Sequence, residues 1–175
     1  MTKPILPSAK PRLSSSDLHE KLSPYDLDRT LHPVIVLVMK CAKQIRGYYL
    51  KTMGDPVANN RGIYDDVLFI DSPQVTAVFN ANTDPSHFRK GRGSGKEKGI
   101  ARLKPGLYNA HCLDLHKNKY LALVQRLGEV TVIRDGEPDY EETGYFGVNI
   151  HKGGYTTTSS LGCQTIHPDK WDSFI

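Results

Sequence analysis

Hydrophobic positions along the chain change character at Val34. Before it, Met1–Pro33 carries five prolines, frequent serine and little apolar periodicity, which predicts an arm (1–33) that packs on a domain or is partly disordered. Within this arm, Ser16-Asp17-Leu18-His19-Glu20-Lys21-Leu22 predicts the start of a short helix with Ser16 as N-cap. From Val34 onward, short apolar or alternating runs are divided by glycine, proline and Asp-Gly pairs, which is a strand-and-turn pattern. The runs are Val34–Met39, Arg46–Thr52, Asp65–Asp71, Gln74–Asn80, Tyr120–Arg126, Val130–Arg134 and Tyr145–His151. His167-Pro168 then predicts a helix with Pro168 near its first position, either very short or continuing past Ile175. These elements predict a mostly β domain over 34–175, an all-β sandwich or barrel-like fold with short helices.

Strict alternation in Tyr145–His151 places Tyr145, Gly147, Asn149 and His151 on one face and Phe146, Val148 and Ile150 on the other. The apolar set faces the core in this reading. His151 then points into a groove with Asn149 and Tyr145 as polar neighbours and candidate substrate contacts.

Length and composition narrow the function. At 175 residues the chain is most simply one domain. Its longest apolar run, Val34–Met39, is strand-sized, so no membrane-spanning helix is expected. The net charge of +4 is dispersed and singles out neither nucleic acid nor anionic cell wall. Three cysteines, Cys41, Cys112 and Cys163, cannot all pair within one chain. Cys41 and Cys112 read as half-buried small hydrophobes.

Chemistry concentrates in the last quarter. His151 ends a strand, and Cys163 follows twelve residues later, directly after Gly162. A thiol needs a nearby base near neutral pH, because at a free pKa of about 8.5 only a few per cent is thiolate. A glycine beside it permits a tight turn whose N–H groups can hold an oxyanion. This pattern predicts cysteine acyl transfer, with His151 as base and the Gly162 and Cys163 N–H groups as oxyanion donors. Ser160 either supports that site or fixes the turn.

His151-x-x-Gly154 followed by Ser160-x-Gly162-Cys163 resembles the signature of the L,D-transpeptidase catalytic domain of the YkuD type. The resemblance covers roughly Tyr145 to Thr165. It implies an L,D-transpeptidase-type β fold and a thioester acyl-enzyme on peptidoglycan stem peptides, leading to cross-linking or to carboxypeptidase or endopeptidase hydrolysis. It also implies that the backbone carbonyl of Lys152 orients the His151 ring. The chain departs from the family pattern at Leu161, where a second histidine is usual, and at Gln164-Thr165, where an apolar-Arg pair is usual. Its His–Cys interval is also shorter than is common. No cofactor is implied. Met1–Arg12 is basic and lacks an apolar signal region. A wall enzyme of this kind is therefore expected to be made in the cytoplasm and delivered by a phage or a secretion machine.

Other motifs carry less. Arg89–Lys96 departs from a phosphate loop, because Lys90 stands at the first glycine position and Glu97 follows Lys96. It lacks the interleaved aromatics of a nucleic-acid patch and reads as a mobile basic loop near the groove. His111-Cys112-Leu113-Asp114-Leu115-His116 offers four ligand types without a second spaced pair, and strand alternation would split His111 from His116, so no metal is expected. Asn59–Asp66 reads as a turn with capping aspartates. Two other classes stay open: a non-catalytic wall-binding or virion structural module with the same fold, and a cysteine protease acting on proteins. The sequence leaves the oligomeric state undetermined.

Overall fold

The apolar runs pair into sheets in the computed structural model, which describes residues 15–31, 34–39, 61–92 and 95–175. The expected strand at Arg46–Thr52, the turn at Asn59-Asn60 and Cys41 lie outside the described residues. The strands are β1 (Ile35–Met39), β2 (Asp66–Asp71), β3 (Thr76–Asn82), β4 (Ala101–Leu103), β5 (His111–His116), β6 (Tyr120–Gln125), β7 (Val130–Arg134), β8 (Tyr140–Gly144), β9 (Ile150–Lys152) and β10 (Gln164–Ile166). Helices α1 (Ser15–Leu22) and α2 (Pro168–Phe174) lie at the two ends of the described chain. Seven strands form one sheet in the order β1-β2-β3-β10-β9-β6-β5, and three form a second in the order β4-β7-β8. The fold is mostly β, with no closed barrel among the described residues.

Every strand pair but one is antiparallel among the described residues, including the consecutive pairs β1–β2, β2–β3, β5–β6 and β7–β8. The exception positions the chemistry. β9 and β10 are parallel neighbours, with His151 paired to Thr165, and β10 in turn pairs antiparallel with β3. β10 thus enters the middle of the sheet, and the residues just before it form a turn over the sheet's end.

Two apolar clusters hold this frame. Leu68, Phe79, Ala81, Ala122, Val124, Ile150 and Ile166 are buried together with Trp171 and Phe174 of α2. Pro168 starts that helix without wasting a donor, and His167 Nδ1 accepts the Asp169 N–H at 3.2 Å as its cap. A second cluster joins Ala101, Val130 and Val132 of the small sheet to Ala110 and Val148. Asp135, with no exposed side-chain surface, receives both terminal nitrogens of Arg61 at 2.7 Å and Arg102 Nη1 at 3.3 Å. That bidentate ion pair joins the end of β7 to two other segments.

Two expectations need correction. The predicted strand Tyr145–His151 is regular only from Ile150 to Lys152, because Gly147 takes φ +67° and leaves the pleat. The shared face of Tyr145, Gly147 and His151 is therefore not formed, and Val148 and Ile150 enter different core clusters. In addition, β4, β5, β8 and β10 were not among the expected strands. β8 has no apolar run; its Thr143 pairs across to Thr131 of β7 at 2.8 Å, and Glu141 forms a surface ion pair with Lys104, just after β4, at 2.8 Å.

The described part of the arm packs on the domain. α1 begins at Ser15, Leu18 is buried, and Arg29 pairs with Asp71 of β2 at 3.0 Å.

Candidate active site

β9 and β10 bring the two leading candidates to one end of the sheet. The Gln164 N–H donates to Asn149 O at 2.9 Å, which brings Cys163, one residue earlier, level with the segment leading into β9. Its Sγ accepts the Asn149 N–H at 3.4 Å and donates to Gly147 O at 3.3 Å. Burial pushes the thiol pKa above its ordinary value, while the Asn149 N–H and the charge of Lys117 oppose that shift. The thiol is protonated at neutral pH.

His151 stands on the strand next to that thiol. Its buried ring makes a 2.8 Å hydrogen bond from Nδ1 to Lys152 O. A carbonyl only accepts, so Nδ1 carries the proton and Nε2 keeps its lone pair. Burial lowers the His151 pKa to about 4, the Lys152 carbonyl opposes this, and His116 and Lys117 add to the lowering. The ring is neutral at pH 7. No hydrogen bond joins it to the thiol, which is committed to Gly147 O.

The turn before Cys163 is built around Ser160. Its Oγ accepts the Gly162 N–H at 3.1 Å and donates to Cys163 O at 2.6 Å. Its backbone N–H donates to Ser86 Oγ at 2.8 Å, and Ser86 N returns a bond to Ser160 O at 2.8 Å. Ser160 therefore fixes the turn. The Gly162 N–H is taken by Ser160 Oγ, so the expected pair of oxyanion donors is reduced to the Cys163 N–H. Gly162 has φ +140°, and a Cβ there would lie 2.7 Å from Ala101 O of β4. The small sheet thus backs directly onto the cysteine turn.

The remaining candidates separate. Lys152 contributes its carbonyl as expected, and its Nζ lies 5.3 Å from the centre of the Tyr120 ring. Asn149 is buried and bonded on both sides of its amide, so it supports the site from behind. Tyr145 is 61% exposed and not aligned with His151. Thr158 is buried against Ser86 Oγ at 2.7 Å, whereas Thr156, Thr157 and Ser159 are exposed.

Sequence reasoning missed His116. Its ring stacks on His151 with centroids 4.4 Å apart and planes 17° from parallel. The signal was the alternation in His111–His116, which turns the two histidines to opposite faces: His111 Nε2 bonds Val148 O at 2.6 Å, while His116 faces the site. Tyr120, paired with His116 across the hairpin, was missed with it. Asp114 bonds Arg126 at 3.0 Å, and no group of three or more metal-ligating side chains occurs among the described residues.

The described part of the basic segment is anchored at two points. Gly91 N donates to Asp135 O at 3.1 Å and Arg89 N to Asp135 Oδ2 at 3.2 Å, so its described part is tied to the small sheet. Asp66 accepts from the N–H and the hydroxyl of Thr83, both at 2.7 Å, which is a capping role. No helix among the described residues is long and apolar enough to cross a membrane. Comparison with known proteins finds no matching family model, no similar curated protein and no matching solved structure.

Proposed function

We propose that this chain is a cysteine acyltransferase or peptidase of L,D-transpeptidase type, acting on peptidoglycan stem peptides through Cys163 and His151. The observation that carries this reading is a neutral imidazole, held with Nε2 as acceptor by Lys152 O, on the strand neighbouring a protonated thiol. In the proposed reaction the S–H leaves Gly147 O and transfers its proton to His151 Nε2. The sulfur attacks the amide carbonyl, and the Cys163 N–H stabilises the oxyanion. The C–N bond breaks, His151 returns the proton to the leaving amine, and a thioester remains on Cys163. An amine then gives cross-linking, and water gives hydrolysis.

Mass spectrometry of purified muropeptides incubated with wild type and with Cys163→Ala tests this reading. Loss or exchange of a terminal residue, or a new cross-link, is expected with wild type only. The same products from both proteins would overturn the role of Cys163. One observation favours a second reading as a wall-binding or virion module: the thiol bonds Gly147 O and not the imidazole. Wall binding unchanged in Cys163→Ala, with muropeptides unaltered by wild type, would select it.

A further inference from the structure

The two stacked imidazoles are held by groups that fix where each carries its proton. The Gln125 N–H donates to Asn149 Oδ1 at 2.9 Å, so the amide's oxygen is oriented by a backbone donor. Asn149 Nδ2 then faces His116 Nδ1 at 3.0 Å. An amide nitrogen only donates, so His116 Nδ1 must be a lone pair and its single proton must sit on Nε2. His151 is held in the opposite tautomer, because Lys152 O takes its Nδ1–H at 2.8 Å.

Adding a second proton to His116 would set an N–H against the Asn149 NH₂ and break a buried hydrogen bond. Adding a proton to His151 Nε2 breaks nothing, and the resulting imidazolium lies over the face of a neutral ring. The other charged or titratable groups around the pair act on both rings, so the asymmetry rests on the hydrogen bonds. Lys117 follows His116 in the β5–β6 turn and opposes positive charge on both rings. Tyr120 packs against His116 with ring centroids 5.6 Å apart and carries the Lys152 ammonium on its ring. Cys163 faces the site as a neutral thiol.

We propose that His116 is a positioning residue for this chemistry: Asn149 holds it as a neutral Nε2–H imidazole stacked on His151, so that the pair accepts one proton and accepts it at His151. The inference rests on the Cys163–His151 reading for its catalytic consequence, but the proton placement is independent of any substrate. In the resting enzyme the stack is uncharged. During acyl transfer the proton arriving from sulfur has one place to go, and it is returned from there to the leaving group.

Nitrogen-15 NMR of the imidazoles in the full chain tests the placement directly. In wild type, His116 is expected with its proton on Nε2 and Nδ1 unprotonated, titrating below the ordinary histidine value, in the direction that burial and Lys117 give it. In Asn149→Ala, His116 is expected to titrate higher than in wild type, because the amide donor that opposes its second proton is gone while burial and Lys117 still hold it down. For kcat/KM on muropeptides, the wild-type acid limb falls at the His151 value of about 4. In Asn149→Ala a new limb is expected above the wild-type one, lowering the rate on the acid side, because an imidazolium beside His151 opposes proton arrival. The double variant Asn149→Ala/His116→Phe keeps a ring that cannot be protonated, and it is expected to lose the new limb. A wild-type His116 protonated on Nδ1, or titrating normally, would overturn the proposal even if Asn149→Ala failed to fold. Wild type inactive on muropeptides but with the expected tautomers would sink the substrate reading and leave the proton placement standing.

Discussion

Gly162 shows how narrowly the cysteine turn is specified. Its φ of +140° is a conformation that residues with a Cβ rarely adopt, and the added carbon would meet Ala101 O at 2.7 Å. Gly162→Ala is expected to lose about 1–3 kcal/mol of stability and to displace Cys163, measured by urea unfolding and by kcat/KM. A fully stable, fully active variant would contradict the close approach to β4. At this scale the two candidate groups were legible, because a thiol after glycine and a histidine ending an apolar run are local patterns. The Ser160 clamp and the His116 stack were not. Each depends on a partner distant in the chain, Ser86 for the clamp and His151 for the stack.

Among the elements, α2 shows how a short helix is made stable by what it covers. Its apolar residues Trp171 and Phe174 close the cluster over Leu68, Phe79, Ile150 and Ile166. The Trp171 ring also meets Tyr120 edge-on at 5.9 Å, and the Tyr120 hydroxyl donates to Lys152 O at 3.4 Å. Trp171→Ala is expected to cost about 3–5 kcal/mol, read from the shift in the urea midpoint. A loss below about 1 kcal/mol would mean that α2 does not seal the core. Strands with apolar enrichment, such as β1, β2, β6 and β7, were legible because each carries a strand-length run of apolar residues. β4, β9 and β10 have three residues each, too few to show a period. β8 carries no apolar face to read. The parallel pairing of β9 and β10, on which the site depends, is a tertiary fact that no local pattern encodes.

Across the whole molecule, histidines link stability to pH. Burial lowers the pKa of His111, His116, His151 and His167. The unfolded chain has ordinary values near 6.5, so below that pH it binds protons that the folded chain refuses. Stability from these groups is fully present above about 6.5 and is lost as pH falls through the window down to the folded values. For His151 that window ends at about 4, and its share of the loss is on the order of 2 kcal/mol by pH 5. The pairing of Asp139 with Arg102 and of Glu142 with Lys98 and Arg134 lowers those carboxyl pKa values, so their contribution falls away only at still lower pH. The Tm is therefore expected to drop between pH 7.5 and pH 5 in a differential scanning calorimetry series. A Tm that held constant or rose over that range would show that the histidines are not buried in their neutral forms.

The central claim, that Cys163 becomes acylated, is tested most directly by mass spectrometry of the protein itself. A purified tetrapeptide muropeptide would be mixed with wild type, quenched in acid within seconds, and the protein digested. The account predicts a stem-peptide acyl group on the peptide that contains Cys163, released by hydroxylamine as a thioester is, and greatly reduced in His151→Ala. An unmodified Cys163 during demonstrable turnover, or an acyl group on another residue, would contradict it.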